Sequence, residues 1–436
     1  MKIAFKMLGC PKNDVDAEVM IYQLREAGHD IVTNPAVADA IVVNTCGFIK
    51  DAKDESVDAI LEMAEYKKSG SCQRLIVTGC LSQRYNKQLF DAIPEVDLMI
   101  GVNEYDRIVS LVEGATGDRV LSCSPDPASP FIPGRAVTTP KHYAYLKIAE
   151  GCSNRCAYCA IPAIRGPYRS RDARSIVQEA EILTRQGAKE LILIAQDTTR
   201  YGVDLKDGGN LVSLIKALTE VEGVERIRLL YCYPELVTDD LLELVGTHPK
   251  VCRYLDIPLQ HIDDGILKAM NRRSNEEQIR ALIQKIRAKY DIALRTTFIV
   301  GFPGETEEQF ENLLHFIQEA RFENMGAFVY SPEEGTPAYK MRPRVQKRVA
   351  ERRRDRLMLA QQQISAQLLA AQVGSVQSVL IDGTDEDGML IGRTGGQAPD
   401  IDGITYVQGG DASLTGMLIQ VKISDSTEYD LRGTML

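Results

Sequence analysis

The feature that most constrains the fold of this chain is a sustained alternation of short β-branched runs with segments of helical periodicity. In the first 125 residues, strand-like runs fall at residues 2–7, 40–44, 74–78, 97–100 and 119–121. Helix-period apolar residues fill the intervening stretches 13–27, 51–67 and 82–93. Strands that alternate with helices form parallel sheets covered by those helices. Residues 1–125 are therefore expected to form an N-terminal domain with an open parallel α/β sheet.

The same alternation continues in a central domain, which we predict over residues 138–370. Six strand-like runs lie at residues 143–149, 190–195, 226–231, 254–258, 294–301 and 326–330. Helical segments separate them at 175–186, 210–221, 276–289 and 305–320, and a long helical pattern follows at 340–370. Six consecutive βα units favour a partial (β/α)6 barrel of the TIM type, with an open doubly wound sheet as the alternative.

The composition changes at both ends of this central domain. Residues 124–140 contain five prolines, which neither a helix nor a central strand accommodates, so this stretch is expected to be a linker. The five are Pro125, Pro127, Pro130, Pro133 and Pro140. In residues 371–436, short alternating runs broken by glycine occupy 375–381, 388–393, 405–408 and 417–424. This spacing indicates a small all-β domain, an OB-like antiparallel β-barrel.

The overall composition excludes several classes of protein. With 436 residues, of which 44% are hydrophobic and 26% charged, the chain resembles a globular protein and not a disordered or fibrous one. The N-terminus lacks a signal-peptide pattern and no apolar run is long enough to span a membrane, so we expect a cytoplasmic protein with no membrane partner. In a reducing compartment, clustered cysteines bind metals or do chemistry more often than they form disulfides.

Three cysteines lie directly after the first strand of the central domain. Cys152, Cys156 and Cys159, the loop cysteines, form a C-x3-C-x2-C motif that lets three thiolates converge on one metal centre. Structural zinc uses four protein ligands, and no fourth Cys or His follows nearby. A [4Fe–4S] cluster bound by three thiolates keeps one iron open for a ligand that is not protein.

Three other cysteines are distant in sequence but equivalent in context. Cys10, Cys46 and Cys80, the strand-end cysteines, each end a predicted strand and are each flanked by glycine. Ligand sites of open parallel sheets lie at the carboxyl ends of strands, so we expect these thiols to meet there. The alternative is that each is a small buried hydrophobic residue. The remaining cysteines share no such spacing and are expected to be packing residues: Cys72, Cys123, Cys232 and Cys252.

The loop GCSNRCAYC resembles the cluster loop of radical S-adenosylmethionine (SAM) enzymes. With the strand-end cysteines and the C-terminal β-domain, the whole chain resembles the methylthiotransferase family in its domain order. Within that family, the chain resembles the branch that modifies an aspartate of a ribosomal protein. The stretches that carry this resemblance are LGCPKNDVDAE, NTCGFI, GCLSQRY, CAIPAIRGPYRSR, AQDTTRYG and YSPEEGTPA. The resemblance identifies residues 371–436 as a TRAM-like barrel that recognises the substrate.

The resemblance implies two [4Fe–4S] clusters and SAM as cofactors. The loop cysteines would bind the cluster that chelates SAM and, once reduced, cleaves it to methionine and a deoxyadenosyl radical. The strand-end cysteines would bind an auxiliary cluster carrying the sulfur to be inserted, and a second SAM would supply the methyl group. The product would be a methylthio group on the β-carbon of an aspartate in a small-subunit ribosomal protein.

Further SAM contacts are implied residue by residue. Tyr158 matches the family's aromatic position inside the cysteine loop. Two strand-end segments match the regions that bind the methionine and ribose–adenine parts of SAM, and their residues are Gln196, Asp197, Gly301, Phe302 and Pro303. The second segment is equally acceptable as a turn and helix start, with Glu305 or Thr306 near the cap.

Charge distinguishes a protein substrate from an RNA substrate. Residues 372–436 carry ten acidic and three basic side chains, a net charge of −7 within a chain whose formal charge is −10. Nucleic-acid binding needs the opposite sign, whereas a basic ribosomal protein is complementary. The expected partners are a basic small-subunit ribosomal protein, free or on the ribosomal particle, and an electron donor such as a flavodoxin or ferredoxin. A tRNA partner is not expected.

Two alternative functions stay open at this point. One is a tRNA adenosine methylthiotransferase of the same family, and the other is a non-enzymatic iron–sulfur or zinc scaffold. The basic stretch 340–356 could contact ribosomal RNA or form a solvent-exposed helix. Likewise, Arg165, Arg169 and Arg171 could hold anionic groups near a cluster or form a solvated face.

Overall fold

The structure, a computed structural model, describes residues 1–114, 117–126, 132, 134–206 and 208–436. The chain forms two compact units that interleave in sequence. The first comprises Met1–Thr138, Lys147–Glu179 and Glu333–Thr336, and the second comprises Thr139–Leu146, Ala180–Pro332 and Pro337–Leu436. Pro127, Pro130 and Pro133 of the predicted linker lie outside the described residues. The domain limits 1–125, 138–370 and 371–436 stay predictions.

The first unit is built on a parallel sheet of six strands. They are β1 (Lys2–Met7), β2 (Asp30–Val32), β3 (Ala40–Thr45), β4 (Arg74–Gly79), β5 (Leu98–Ile100) and β6 (Val120–Ser122). Their order is β2-β1-β3-β4-β5-β6, and every neighbouring pair is parallel. The predicted open parallel sheet is therefore confirmed, with β2 as an additional edge strand.

Helices cover both faces of this sheet. They are α1 (Pro11–Glu26), α2 (Lys50–Ala64), α3 (Tyr66–Ser69), α4 (Cys80–Ala92) and α5 (Ile108–Gly114). Alternate residues of each central strand enter opposite cores, because successive side chains of a strand point to opposite faces. Ile41 and Val43 pack with Ile60 of α2, whereas Val42 packs with Leu24 of α1 and Ile108 of α5.

The chain next runs through a strand and a cysteine-containing loop. The elements here are β7 (Tyr143–Lys147), β8 (Ala149–Glu150), α6 (Ile161–Arg165), β9 (Arg169–Ser170) and α7 (Ala173–Arg185). β8 and β9 pair in antiparallel fashion, Ala149 with Ser170 and Glu150 with Arg169. This short ladder brings together the two ends of the loop that carries the loop cysteines.

A second sheet of six strands begins with β7. Its other strands are β10 (Glu190–Ile194), β11 (Arg226–Leu229), β12 (Val251–Asp256), β13 (Ala293–Val300) and β14 (Asn324–Val329). The spatial order β14-β13-β12-β11-β10-β7 follows the chain without a reversal. A doubly wound sheet reverses its strand order at a switch point, so the sequential order supports the partial barrel and not the alternative.

Helices connect the strands of the second sheet and lead out of it. They are α8 (Leu211–Thr219), α9 (Asp239–Thr247), α10 (Asp264–Ala269), α11 (Glu276–Lys289), α12 (Glu307–Ala320) and α13 (Lys347–Ala370). The prediction of a helix from residue 340 is wrong at its start. A short 3-10 helix, Pro337–Lys340, comes first, and α13 begins only at Lys347. Pro343 lies between them, and proline disfavours helical conformation in the residue before it.

The C-terminal residues form a closed five-stranded barrel. Its strands are β15 (Val376–Thr384), β16 (Leu390–Arg393), β17 (Thr405–Gln408), β18 (Leu418–Ser426) and β19 (Leu431–Met435). The strand order around the closed barrel is β15-β16-β17-β19-β18, and β18 pairs again with β15. The predicted barrel is confirmed, but one of its pairs, β17 with β19, is parallel and not antiparallel. Val379, Val407 and Val421 contribute to its apolar interior.

A buried ion network within the second unit joins the sheet to the barrel. Glu190 of β10 accepts from Arg228 Nε and from Arg393 Nη1, both at 2.7 Å. Arg393 of β16 also donates to Asp382 at 2.8 Å, and His142 Nε2 lies 2.8 Å from the same carboxylate. These charges belong to residues that are mostly buried, so each requires its partner.

Candidate functional site

The strand-end cysteines follow three strands that are neighbours in the first sheet. β1 pairs with β3, and β3 pairs with β4. Cys10 is the N-cap of α1, Cys46 follows β3, and Cys80 is the first residue of α4. Because β2 and β3 lie on opposite sides of β1, the strand order reverses there, which is where such sheets form a binding crevice. A helix N-terminus also favours a negatively charged thiolate.

Two glycines let the backbone segments at this edge approach closely. A Cβ built on Gly79, whose φ is +100°, would lie 2.4 Å from the carbonyl oxygen of Thr45. A Cβ on Gly47 would lie 2.8 Å from the Cα of Leu81. Real Cβ atoms do not come this close to backbone, so a side chain at Gly79 would push the ends of β3 and β4 apart, and one at Gly47 would push the segment after β3 away from the start of α4.

The three thiols are electrostatically coupled. Burial raises the pKa of Cys80 to about 11, while Arg165 opposes this change and the thiols of Cys10 and Cys46 add to it. Burial also raises the pKa of Cys46, partly offset by a hydrogen bond from the Phe48 backbone, and again Cys10 raises it and Arg165 lowers it. The structure thus places all three thiols within mutual electrostatic reach.

The loop cysteines lie between β8 and α6. Cys152 and Cys156 are buried, and Cys159 is half-buried, as is the predicted SAM contact Tyr158 beside it. The Cys152 N–H donates to the Gly166 carbonyl at 3.1 Å, and the Cys159 N–H donates to the Cys156 carbonyl at 3.0 Å. These main-chain bonds fold the loop back on itself. No disulfide joins any of the ten cysteines.

Both cysteine sets belong to the first unit, and α6 connects them. The side chain of Cys80 packs with Ala160 and Ile164, which immediately follow the loop cysteines. At the end of α6, Arg165 Nη2 donates to the Sγ of Cys80 at 3.3 Å and to Asn13 Oδ1 at 3.3 Å. A single side chain therefore extends from the loop segment to a strand-end thiol.

Arg165 is held by buried carboxylates. Its Nη1 donates to Asp16 Oδ2 at 2.6 Å and to Glu150 Oε2 at 3.1 Å. Lys147 donates to both of the same carboxylates, at 2.9 Å in the case of Glu150. Arg165 is only 2% exposed and the other three are below 8%. The solvated-face interpretation is wrong for Arg165, and also for Arg171, which is buried against Glu179.

A motif from late in the chain supports the loop after Cys46. Glu333, which is 2% exposed, accepts from Lys53 Nζ at 2.6 Å and from Arg84 Nη1 at 2.8 Å. Arg84 Nη1 also donates to the carbonyl of Gly47 at 2.8 Å. The same arginine thus contacts the residue after Cys46 and the segment 333–336.

Gln196 and Asp197 belong to the second unit, where they follow β10. Gln196 is half-buried. Asp197 is fully buried, and its Oδ1 accepts from the Thr199 hydroxyl at 2.7 Å and from the Arg200 N–H at 3.2 Å. Asp197 thereby caps a short 3-10 helix, Thr198–Arg200. Its carboxylate has a structural role in addition to the predicted SAM contact.

Gly301, Phe302 and Pro303 follow β13 in the second unit. The N–H groups of Gly301 and Phe302 donate to Glu305 Oε2 at 2.5 and 3.1 Å. Glu305 Oε1 accepts in turn from Arg353 Nη1 at 2.9 Å. These two main-chain donors are occupied by the chain's own carboxylate, so a ligand contact here has to use other atoms. The helix-start interpretation is confirmed, because Thr306 caps α12 in a capping box.

The donor set fits iron–sulfur chemistry. Each cysteine group supplies three thiols, and Arg165 compensates negative charge beside one of them, as a cluster bound by thiolates requires. In the part of the chain that the structure describes, no group of three or more His, Cys, Asp or Glu side chains is arranged to hold a single metal ion. The assignment of individual ligands stays a prediction.

Sequence reasoning missed the buried charges around Arg165 and the anchor at Glu333. Charged residues are usually exposed, so nothing in their composition suggests burial. One signal was present in α1, where Lys12, Asn13 and Asp16 recur at helical spacing directly after Cys10. Polar residues on one face of a helix next to a candidate ligand are a reason to look for a buried network.

Comparison with known families agrees with this architecture. Residues 2–101 match an uncharacterized protein family, UPF0004, residues 146–317 match the radical SAM superfamily, and residues 373–436 match the TRAM domain. Together with the partial barrel and its cysteine loop, these matches define the chain as a radical SAM enzyme with a TRAM barrel.

Curated relatives narrow this class to one family. The chain is 48% identical to the ribosomal protein uS12 methylthiotransferase RimO of Trichlorobacter lovleyi, covering all of this chain and 98% of the relative. The proteins of the same name from Clostridium kluyveri and Geobacter sulfurreducens are 46% and 48% identical, with the same coverage. The chain belongs to the RimO family of methylthiotransferases, which confirms the resemblance seen in the sequence.

Solved structures support the fold at low sequence identity. The radical SAM methyltransferase TsrM from Kitasatospora setae, with cobalamin and a [4Fe–4S] cluster bound, matches with a TM-score of 0.59 at 14% identity. The match covers 86% of this chain and 80% of TsrM. The cobalamin-dependent radical SAM enzyme OxsB matches with a TM-score of 0.53 at 12% identity, covering 78% and 54% of the two chains.

Proposed function

We propose that this enzyme attaches a methylthio group to the β-carbon of an aspartate in a small-subunit ribosomal protein. Its relatives are named for ribosomal protein uS12, and the similarity to them extends over the whole chain. The structural observation that carries the proposal is the linkage of two three-cysteine groups within one compact unit, through Arg165 and Cys80.

In this proposal, the loop cysteines bind one [4Fe–4S] cluster together with SAM, and the strand-end cysteines bind a second. When bound, these cofactors would supply the carbon radical, the sulfur and the methyl group needed to functionalise an unactivated C–H bond, with the electron entering from the separate donor protein. The protein binds and orients them. Cys80 and Arg165 are buried, so a cluster held at Cys80 would be shielded from water by these residues.

The proposed SAM contacts are Tyr158, Gln196, Asp197, Gly301, Phe302 and Pro303. Support for them differs from residue to residue. Asp197 is held rigidly by the turn that it caps. Phe302 is fully buried and packs edge-on against Tyr330, with ring centroids 5.2 Å apart, so its position is fixed. Rigid first contacts reduce the conformational entropy that ligand binding would otherwise cost.

Charge on the barrel supports a basic protein partner. Several of its acids are used internally, such as Asp382 with Arg393 and Asp402 with Tyr254. Others are exposed, namely Glu386, Asp387, Asp411, Asp425 and Glu428. The basic stretch before and within α13 is also partly neutralised, because Arg353 pairs with Glu305 and Arg356 pairs with Glu311. Both features favour a ribosomal protein over tRNA.

The remaining expectations belong to the same proposal. The electron donor is a small redox protein such as a flavodoxin or ferredoxin. The enzyme acts in the cytoplasm, where it binds the ribosomal protein either free or on the ribosomal particle. Among the helices of the described residues, none combines the length and the apolar character that crossing a bilayer requires.

Metal analysis tests the number of clusters. After anaerobic reconstitution, we expect about eight iron and eight sulfide per chain. Replacing the loop cysteines by alanine should leave about four of each and abolish SAM cleavage. The matched control Cys72→Ala/Cys123→Ala/Cys252→Ala also removes three thiols and should keep about eight. SAM cleavage that survives loss of the loop cysteines would contradict the proposal.

Product analysis tests the substrate. The enzyme is incubated with SAM, a reductant and either the candidate ribosomal protein or bulk tRNA, and both are analysed by mass spectrometry. We expect a methylthio adduct on an aspartate of the protein. An adduct on tRNA alone would assign the enzyme to the tRNA branch instead.

A further inference from the structure

Arg165, which contacts Cys80, is held in place by several buried hydrogen bonds in addition to packing. Arg165 is the last residue of α6, six residues after Cys159, and it is only 2% exposed. Burying an arginine is unfavourable unless its charge and donors are matched. Here four acceptors match it, namely Asp16, Glu150, Asn13 and the Cys80 Sγ.

The charges around Arg165 balance without the thiol. Arg165 and Lys147 carry two positive charges, and Asp16 and Glu150 carry two negative charges. Charge neutralisation alone would therefore give the network a purely structural role. The geometry of the guanidinium indicates a second role at Cys80, because Nη1 donates to both carboxylates whereas Nη2 donates to Cys80 and Asn13. The carboxylates thus orient the other arm of the guanidinium toward the sulfur.

We propose that Arg165 is a positioning residue that raises the reduction potential of the cluster at Cys10, Cys46 and Cys80, and that Asp16 limits this effect. The inference rests on the proposed function, since it requires that a cluster is bound there. Adding one electron makes a cluster more negative by one charge. A cationic donor 3.3 Å from a ligand sulfur stabilises that added charge, and in a buried site solvent screens it little.

The proposal predicts opposite changes for two neighbouring substitutions. Arg165→Gln removes the cation and leaves two carboxylates facing Lys147 alone, so the cluster becomes harder to reduce. Asp16→Asn removes a carboxylate while Arg165 stays, so the cluster becomes easier to reduce. A structural role for the network predicts loss of stability in both variants but no opposite signs in the potential.

The potential is measured in the background Cys152→Ala/Cys156→Ala/Cys159→Ala, so that only the auxiliary cluster contributes. The full-length protein is titrated anaerobically with dithionite, and the reduced cluster is followed by electron paramagnetic resonance. We expect Arg165→Gln to shift the ratio of reduced to oxidised cluster at least tenfold toward the oxidised form, or about 59 mV for one electron. Asp16→Asn should shift it toward the reduced form.

Arg171→Gln is the matched control. Arg171 is also buried in the first unit, where it donates to the carboxylate of Glu179, to Ser175 and to the Lys147 carbonyl. Its removal should leave the potential unchanged. Equal potentials in all variants, or a shift of the same sign in Arg165→Gln and Asp16→Asn, would overturn the proposal.

Two further outcomes are distinguishable. If the background variant binds no iron, the proposed function is wrong, because no auxiliary cluster is present to be tuned. If Arg165→Gln does not fold, Asp16→Asn still decides, because it retains the arginine and must raise the potential. Arg165→Lys serves as the conservative variant, and its potential should lie closer to that of the wild type than the potential expected for Arg165→Gln, because lysine keeps the charge but loses the fork.

Discussion

The space beside Gly79 is filled by the main chain of the neighbouring strand, and Cys80 follows immediately. A Cβ there would lie 2.4 Å from the Thr45 carbonyl oxygen, and the φ of +100° is strained for any residue with a side chain. A side chain at Gly79, the residue before the candidate ligand Cys80, would therefore cause both a steric clash and backbone strain. Mutation can separate these two costs.

We expect Gly79→Ala to lower the free energy of unfolding by about 2–4 kcal/mol, because it adds backbone strain and a steric clash. It should also lower the iron retained at the strand-end cysteines. Thermal unfolding and iron analysis measure the two effects. Gly28→Ala is the control, since Gly28 has a φ of +83° with nothing within 4 Å of its Cβ. It should cost only about 1 kcal/mol. Equal costs would refute the steric argument.

For single residues, the sequence predicts where a candidate ligand lies in the chain better than it predicts which side chains contact each other. The six cysteines could be selected because strand ends and loop spacing are local patterns. Asp16 and Glu150 could not, because their burial depends on Arg165 and Lys147, which are distant in sequence. The pairing of charges becomes visible only when the tertiary structure brings these four side chains together.

Among the elements, β10 and β16 are joined by a carboxylate. Burial alone would raise the pKa of Glu190, but Arg393, Arg228 and Arg226 lower it from 4.5 to about 2. A carboxyl whose pKa is lower in the folded state stabilises the fold above its unfolded pKa. This contribution is present above pH 4.5 and is lost as the pH falls toward 2.

We expect Glu190→Gln to lower the free energy of unfolding by about 3 kcal/mol at pH 7, because Arg228 and Arg393 keep their buried charges without the carboxylate. The difference from the wild type should shrink between pH 4.5 and pH 2. Chemical denaturation of the apoprotein at a series of pH values measures both. Glu225→Gln is the control, because Glu225 pairs with Lys189 at the surface and should change stability by less than about 0.5 kcal/mol. A pH-independent difference would contradict the assignment.

The elements themselves were predictable where their pattern is long. β3 and β4 each contain a continuous apolar run, at residues 40–43 and 75–77, and α11 is an amphipathic helix, so each was expected close to its observed limits. β2 has only three residues and was missed. β19 was not among the predicted runs either, so its parallel pairing with β17 was also missed.

On the scale of the whole molecule, the net negative charge is concentrated in the C-terminal barrel, where residues 372–436 carry −7. The proposed docking of a basic protein relies on acids that the barrel leaves exposed. We expect Glu386→Gln/Asp387→Asn/Asp425→Asn/Glu428→Gln to raise KM for the ribosomal protein about three- to tenfold and to flatten its dependence on salt. The value of kcat should stay unchanged. Steady-state kinetics at several ionic strengths measures these changes.

The control removes four exposed acids of the second unit that lie outside the barrel. It carries Glu220→Gln, Glu222→Gln, Glu277→Gln and Glu308→Gln. Because the formal charge changes equally in both variants, only a local role of the barrel distinguishes them. A KM that rises equally in the control would assign the effect to net charge, and docking through the barrel would be rejected.

The interleaving of the two units has a consequence for synthesis of the chain. The first unit is not complete at Thr138, because it also contains Lys147–Glu179 and Glu333–Thr336. Between Thr138 and Glu333, 195 further residues are translated, which takes about 10–40 s at usual rates. For that time Lys53 and Arg84 lack the carboxylate that they later enclose. The nascent N-terminal sheet is therefore exposed to proteases and chaperones for much longer than its own length suggests.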